Sequence, residues 1–375
     1  MNPSAESPAS TAPVDAWRTL SGPVGPLLDD PTVTEIMVNG PGAIFVERRG
    51  VLERVPGARF ESSEALVRLM RAMAAAVGKT LDATNPMVDA RLSDGSRVNA
   101  VVEPVAVGGP ALTIRKFSRD VLTVDDLVNA GTLDERLAAY LRSCVLARLN
   151  LVVCGGSGTG KTTLLNVLGS FVPPSERVVT IEDTAELFLP AENVVRLESR
   201  PATASDPGVS IRSLVVNALR MRPDRILVGE CRGPEAFDML LAMNTGHEGS
   251  MTTLHASGAR DGLRRLESMV LMAGTEMPVA VVRQHVAGSV HVIVHVQRGQ
   301  DGVRRVAEVV EVAGMESDVI LTQDAFRYDA QRGFVSAGLG SQFVERFRDA
   351  ATTPRAGHAS LDTARIVRPG GPRPR

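Results

Sequence analysis

The chain has 375 residues, of which 44% are hydrophobic and 22% charged, and its formal net charge is −2. That is ample apolar material for one or two packed cores, which excludes a wholly disordered chain, a fibrous repeat and a small disulfide scaffold. The near-neutral balance excludes a global field for capturing nucleic acid, and no apolar run reaches the about 18 residues of a membrane-spanning helix.

Residues 1–16 are rich in Pro, Ser and Ala and are expected to be disordered. They lack the basic cluster and apolar stretch of a secretory signal, so a cytoplasmic location is expected. Residues 17–117 read as a small α+β domain. Thr34–Val38 and Ala43–Glu47 flank the turn residues Asn39-Gly40-Pro41-Gly42, a hairpin signal. Ser62 or Ser63 caps a helix on which Leu66, Leu69, Met70, Met73 and Val77 recur at helical spacing. Short strands are expected around Arg91–Arg97 and at Leu112–Arg115. Residues 118–130 read as a linker leading into a helix.

From 131 to 350, strand and helix patterns alternate, which implies a parallel sheet with helices on both faces. Leu151–Cys154, Val178–Ile181 and Ile226–Gly229 are short apolar strands. Ser210 caps a helix that must end before Pro223. Pro234 opens the next helix and Gly246 closes it. Val290, Val292, Val294 and Val296 alternate with His291, Ile293 and His295, and a β-rich run follows. Residues 351–375 form a basic, Pro/Gly-rich tail, read as a disordered solvating end, with contact to an acidic lipid or partner as the alternative. Cys144, Cys154 and Cys231 form no CxxC pair and are read as buried thiols of a reducing compartment. Cys231 has a packing role in this reading.

Four segments carry chemistry. Gly155-Gly156-Ser157-Gly158-Thr159-Gly160-Lys161-Thr162 satisfies GxxxxGK[ST], follows a strand and opens a helix. Its glycines let successive N–H groups turn inward around phosphate oxygens, and the helix N-terminus adds a positive dipole end. Lys161 places an ammonium on the β/γ-phosphates, Thr162 offers a hydroxyl to Mg²⁺, and Thr163 extends the nucleotide-binding set. Lysine occurs only at 79, 116 and 161 in this chain. The second segment, Arg225–Glu230, ends a short strand in a carboxylate that would orient the attacking water. A carboxylate near its usual pKa is too weak to ionise that water beforehand.

The third segment is Glu182-Asp183-Thr184-Ala185-Glu186, at the end of another strand. Its carboxylates suit a hydrated Mg²⁺ held partly through water, with Glu182 and Glu230 as the metal-side candidates; alternatively they cap the following helix. The fourth runs from Thr245 to Ala256, where His247 and His255 are candidates to sense or stabilise the γ-phosphate. They share no helix face and have no third ligand nearby, which argues against a metal site. His291 and His295 share a strand face but lie roughly 13 Å apart, and read as structural.

In this order the four segments resemble the Walker A, Asp box, Walker B and His box of the type II/type IV secretion and pilus ATPase superfamily. DDPTVTEIMVNGPGAIFVERRG, MVDARLSDGSRVNAVV, LTIRKFS and VAEVVEVAGMESDVILTQDAF are similar to the CpaF-type ATPases of tight-adherence (Tad/Flp) pili. The resemblance implies a RecA-like ATPase domain behind a PAS-like N-terminal α+β domain, a hexameric ring, and ATP bound between the two domains. It also implies polytopic inner-membrane platform proteins as partners, with peripheral attachment through them. Arginines of the N-terminal domain would reach the phosphates; the matching positions are Arg91, Arg97 and Arg115. There is no tetracysteine zinc module, unlike the type II secretion branch. Competing readings are a DNA translocase or helicase, disfavoured by 3% aromatics and the negative net charge, and a nucleotide-gated scaffold with little turnover, disfavoured by Lys161 and Glu230.

Overall fold

A computed structural model describes residues 16–48, 50–117, 122–202, 206–274, 276–338 and 340–352. Residues 1–15 of the expected disordered start, nearly all of the basic tail and the first part of the expected linker lie outside these residues. The chain forms two compact units, divided between residues 120 and 121.

The first unit opens with short 3-10 turns at Ala16–Leu20 and Gly22–Val24, then α1 (Gly25–Asp29), β1 (Val33–Asn39), β2 (Ile44–Arg48), β3 (Val51–Arg54), α2 (Ser63–Ala76), β4 (Met87–Arg91), β5 (Arg97–Val101) and β6 (Ala111–Arg115). The strands form one antiparallel sheet in the order β3-β2-β1-β6-β5-β4. Ser62 caps α2 by accepting the Ala65 N–H at 3.3 Å. The helix buries Leu66, Leu69, Met70 and Met73 against Ile36, Val38, Val98 and Ile114 and the Trp17 ring.

The second unit contains α3 (Val124–Asn129), α4 (Glu135–Leu146), β7 (Leu151–Gly155), α5 (Lys161–Gly169), β8 (Val178–Glu182), β9 (Val194–Glu198), α6 (Ile211–Ala218), β10 (Arg225–Val228), α7 (Glu235–Asn244), β11 (Met251–Leu254), α8 (Ala259–Met272), α9 (Val279–Ser289), β12 (Val292–Arg298), β13 (Arg304–Glu316), β14 (Val319–Asp329), β15 (Gly333–Ser336) and α10 (Val344–Thr352). Its sheet runs β15-β14-β13-β12-β7-β11-β10-β8-β9. From β12 to β9 every pairing is parallel, and from β12 to β15 every pairing is antiparallel.

Every residue of β7, β8, β10 and β11 is buried, as strands covered on both faces must be. Leu151 and Val153 face a core shared with α4, α5 and α10. Val152 and Cys154 face the other core, with α6 to α9. One expectation changes here. The later part of the expected linker 118–130 is helical: Thr123 and Asp126 form a reciprocal capping box, and Leu127 is buried in the core of the second unit.

Candidate active site

Because the central strands are parallel, their C-terminal ends share one edge, where ligands bind in open α/β sheets. At this edge β7 runs into the Gly156–Gly160 loop, which leads to Lys161, Thr162 and Thr163 at the start of α5. The loop is shaped by its glycines. Gly158 and Gly160 have φ of +67° and +95°, a region that favours glycine. A Cβ on Gly155 would collide with the Val296 carbonyl of the neighbouring β12. Thr159 Oγ1 donates back to the Gly156 carbonyl at 2.9 Å. Lys161 is buried; its Nζ donates to the same carbonyl at 2.9 Å and lies 3.5 Å from His255 Nδ1.

His255 follows β11 and Glu230 follows β10, so both arrive at this edge. His255 Nε2 lies 2.8 Å from Glu230 Oε1. Burial, and then the Lys161 charge, lower the His255 pKa, so the ring is neutral at physiological pH. A neutral ring with Nδ1 unprotonated accepts from Lys161, while Nε2 rests against Glu230 Oε1, a buried oxygen with no hydrogen-bond partner among the described groups. Glu230 Oε2 accepts from Arg232 at 2.8 Å. Burial opposes ionisation of Glu230, but the Arg232 bond and the Arg232 and Lys161 charges outweigh it and lower its pKa. Glu230 is therefore an anion at neutral pH.

Glu182 ends β8 at the same edge and is 3% exposed. Its Oε1 accepts the N–H groups of Glu186 and Leu187, each at 2.9 Å. Its Oε2 is buried with no hydrogen-bond partner among the described groups. Burial pushes its pKa up to about 7 against those two backbone bonds. Asp183 is exposed; its Oδ1 accepts from Ser199 Oγ at 3.1 Å and its Oδ2 lies 3.5 Å from Arg232. Glu186 is half-buried and contributes its backbone to Glu182. Cys231 is buried, with Sγ 3.3 Å from Thr252 Oγ1, and burial pushes its pKa up to about 12. It packs rather than reacts.

His247 is a correction. It precedes β11 whereas His255 follows it, and Met251 pairs with Leu151 at the start of β7 while Leu254 pairs with Cys154 at its end. Within this chain the two histidines sit at opposite edges of the sheet, and His247 is not brought to the P-loop. The opposite edge holds a different set of groups. Arg225 is fully buried on Glu176, and Asn150 bridges the starts of β7 and β11. His291 accepts the Asn150 N–H there at 2.9 Å, while His295 lies farther along β12, opposite Cys154.

In the first unit, Arg91 pairs with Arg97 and Arg97 with Arg115, so the three arginines form one cross-strand row. Glu35 flanks it, 3.8 Å from Arg115. Sequence reading missed Arg232, one arginine among many, although its place two residues after the strand-end carboxylate was visible.

A family model described as "Type II/IV secretion system protein" matches residues 18–327. The chain is 39% identical over 287 residues to a putative conjugal transfer protein of Mycobacterium tuberculosis, covering 75% of this chain and 81% of that one. It is 45% identical over 234 residues to an uncharacterized protein of Methanocaldococcus jannaschii, but the match takes in 60% of this chain and only 32% of that longer protein. The fold is similar to that of the pilus retraction motor PilT solved with bound ADP, with a TM-score of 0.55, 17% identity, and coverage of 89% of this chain and 97% of that one. The chain belongs to the type II/IV secretion system protein family, and it is an ATPase with a smaller N-terminal domain ahead of its RecA-like ATPase domain.

Proposed function

We propose that this chain is a motor that hydrolyses Mg-ATP to power assembly or retraction of a Tad/Flp-type pilus, at the inner face of the cytoplasmic membrane. It works as a hexameric ring against polytopic platform proteins. The observation that carries the reading is the unbroken file of contacts Lys161–His255–Glu230 at the phosphate edge.

The amides of Gly156–Gly160 and the start of α5 grip the phosphates. Lys161 exchanges the Gly156 carbonyl for the β/γ-phosphate oxygens, and His255 follows that exchange because it accepts from the same ammonium. Glu230, held as an anion, orients the attacking water. The buried orphan oxygen of Glu182 fits a hydrated divalent cation, with Thr162 offering its hydroxyl and Glu230 a second carboxylate through water. When bound, Mg²⁺ neutralises charge on the β- and γ-phosphate oxygens.

The arginine row supports a role for the 17–117 domain. Like charges directly opposite one another are destabilising, and an anion shared by Arg91, Arg97 and Arg115 relieves that repulsion. A guanidinium supplied to the γ-phosphoryl oxygens contributes about 10³–10⁵ in rate. The mycobacterial relative, by its description, favours a second reading in which the machine serves conjugal transfer.

Steady-state hydrolysis tests the chemistry. Lys161→Ala should lose turnover through lost nucleotide binding, and near-normal hydrolysis would remove the P-loop assignment. Glu230→Gln should keep nucleotide affinity and lose turnover. Co-purification with a polytopic platform protein of a pilus, rather than of a conjugation machine, separates the two readings.

A further inference from the structure

We infer that Arg232 is a positioning residue for hydrolysis: its guanidinium straps Glu230 to Asp183 across adjacent strand ends and holds the water-orienting carboxylate in one rotamer. The inference rests on the reading of Glu230 given above. Glu230 lies just past the end of β10, where a three-torsion side chain on a strand end samples several rotamers unless something holds it. Arg232 supplies that hold. One guanidinium nitrogen donates to Glu230 Oε2 at 2.8 Å, and the other lies 3.5 Å from Asp183 Oδ2. Asp183 is itself tethered, because its Oδ1 accepts from Ser199 Oγ at 3.1 Å. The strap therefore joins the ends of β10, β8 and β9.

Its base is fixed as well. The Arg232 N–H donates to Glu235 Oε1 at 2.6 Å and the Gly233 N–H donates to the same oxygen at 2.8 Å. Glu235 is 9% exposed, so the turn carrying the arginine is anchored from beneath. The chemistry of the head group matters. A planar guanidinium presents two nitrogens in a fixed fork and reaches two carboxylates at once, whereas an ammonium is a single point charge. The strap also leaves room for water. A carboxylate offers about four lone-pair sites; Arg232 occupies one on Oε2, and Oε1 has no hydrogen-bond partner among the described groups. The Arg232 side chain is 60% exposed, so its removal opens no core cavity.

The test uses the full chain, with ATP turnover and binding of a fluorescent ATP analogue read on each variant. Arg232→Ala should lower kcat by about 10- to 100-fold, the scale of a slightly misplaced group, while KM and analogue affinity change less than about twofold. Arg232→Lys should recover part of the rate, because it restores the Glu230 contact without the bridge. Asp183→Asn should lower kcat alone and add nothing in the Arg232→Ala background. A raised KM with kcat intact would make Arg232 a phosphate contact and overturn the strap; so would additive losses in the double variant, or unchanged kinetics in Arg232→Ala. Glu230→Gln is run beside them. If it is inactive while Arg232→Ala is normal, only the strap fails. If it turns over ATP normally, the water-orienting reading itself fails.

Discussion

The two edges of one parallel sheet use similar polar groups in opposite ways. Where the strands begin, Arg225 makes bonds of 2.6 and 3.2 Å to both oxygens of Glu176 and another to the Val145 carbonyl. Arg148 adds a third bond to Glu176 at 3.0 Å. The Asn150 side chain donates to the Met243 and Ser289 carbonyls and accepts from Gly249 and Ser250. Arg225, Glu176 and Asn150 are buried and well bonded, which fixes strand register. Where the strands end, Lys161 rests on a carbonyl that phosphate can replace, and Glu182 keeps a buried oxygen unsatisfied. Saturation makes a scaffold; unused bonding capacity, held in place, makes a site.

Changes at each edge should therefore separate stability from activity. The largest effect is expected from Lys161→Ala, with turnover down by roughly 10³-fold, the upper end for losing one preorganised donor, and a melting temperature close to that of the parent. Next is Arg225→Ala, which leaves Glu176 without its buried partner and should lower unfolding free energy by about 3–5 kcal/mol. Denaturant titration reads it, and ATP affinity of the folded fraction should be unchanged. An Arg225→Ala variant that stays stable but loses ATP affinity would break the comparison.

The edges should also respond to pH with opposite sign. Burial, then the Arg346 charge, pull the His291 pKa down to about 4, below an unfolded value near 6.5. The unfolded chain binds the extra proton in between, so this contribution is present above pH 6.5 and lost as pH falls toward 4. Glu182 lies above its ordinary 4.5, at about 7, so its contribution is present below 4.5 and lost as pH rises through 7. In thermal melts with a chelator and no nucleotide, His291→Gln should flatten the acid-side fall. Glu182→Gln should raise the melting temperature at pH 8 by about 2–4 °C for each kcal/mol recovered. The smallest effect concerns Cys154 and Cys231, whose pKa values burial pushes up to about 12. A thiol reagent at pH 8 should leave both unmodified in the folded chain, and rapid labelling would show that the phosphate edge opens.

Much of this was legible from local pattern. The P-loop announced itself because its chemistry needs a contiguous run of residue types, and the fully apolar strands announced a sheet covered on both faces. What escaped depends on distance. His247 and His255 look like one cluster in the sequence, but a four-residue strand between them carries them to opposite edges. Arg232 stands two residues after the strand-end carboxylate but is one of many arginines, and only the fold shows which carboxylates it bridges. The Thr123–Asp126 capping box was a readable sign that the expected linker turns helical early.

The fit of Gly155 against the Val296 carbonyl has a further consequence. Gly155, at the entry to the P-loop, is walled by a strand that the ribosome delivers long after the loop itself. A nascent chain or truncated product ending before β12 would carry every residue of the motif yet lack the wall that shapes it. Nucleotide capture should thus begin only once synthesis has passed that strand.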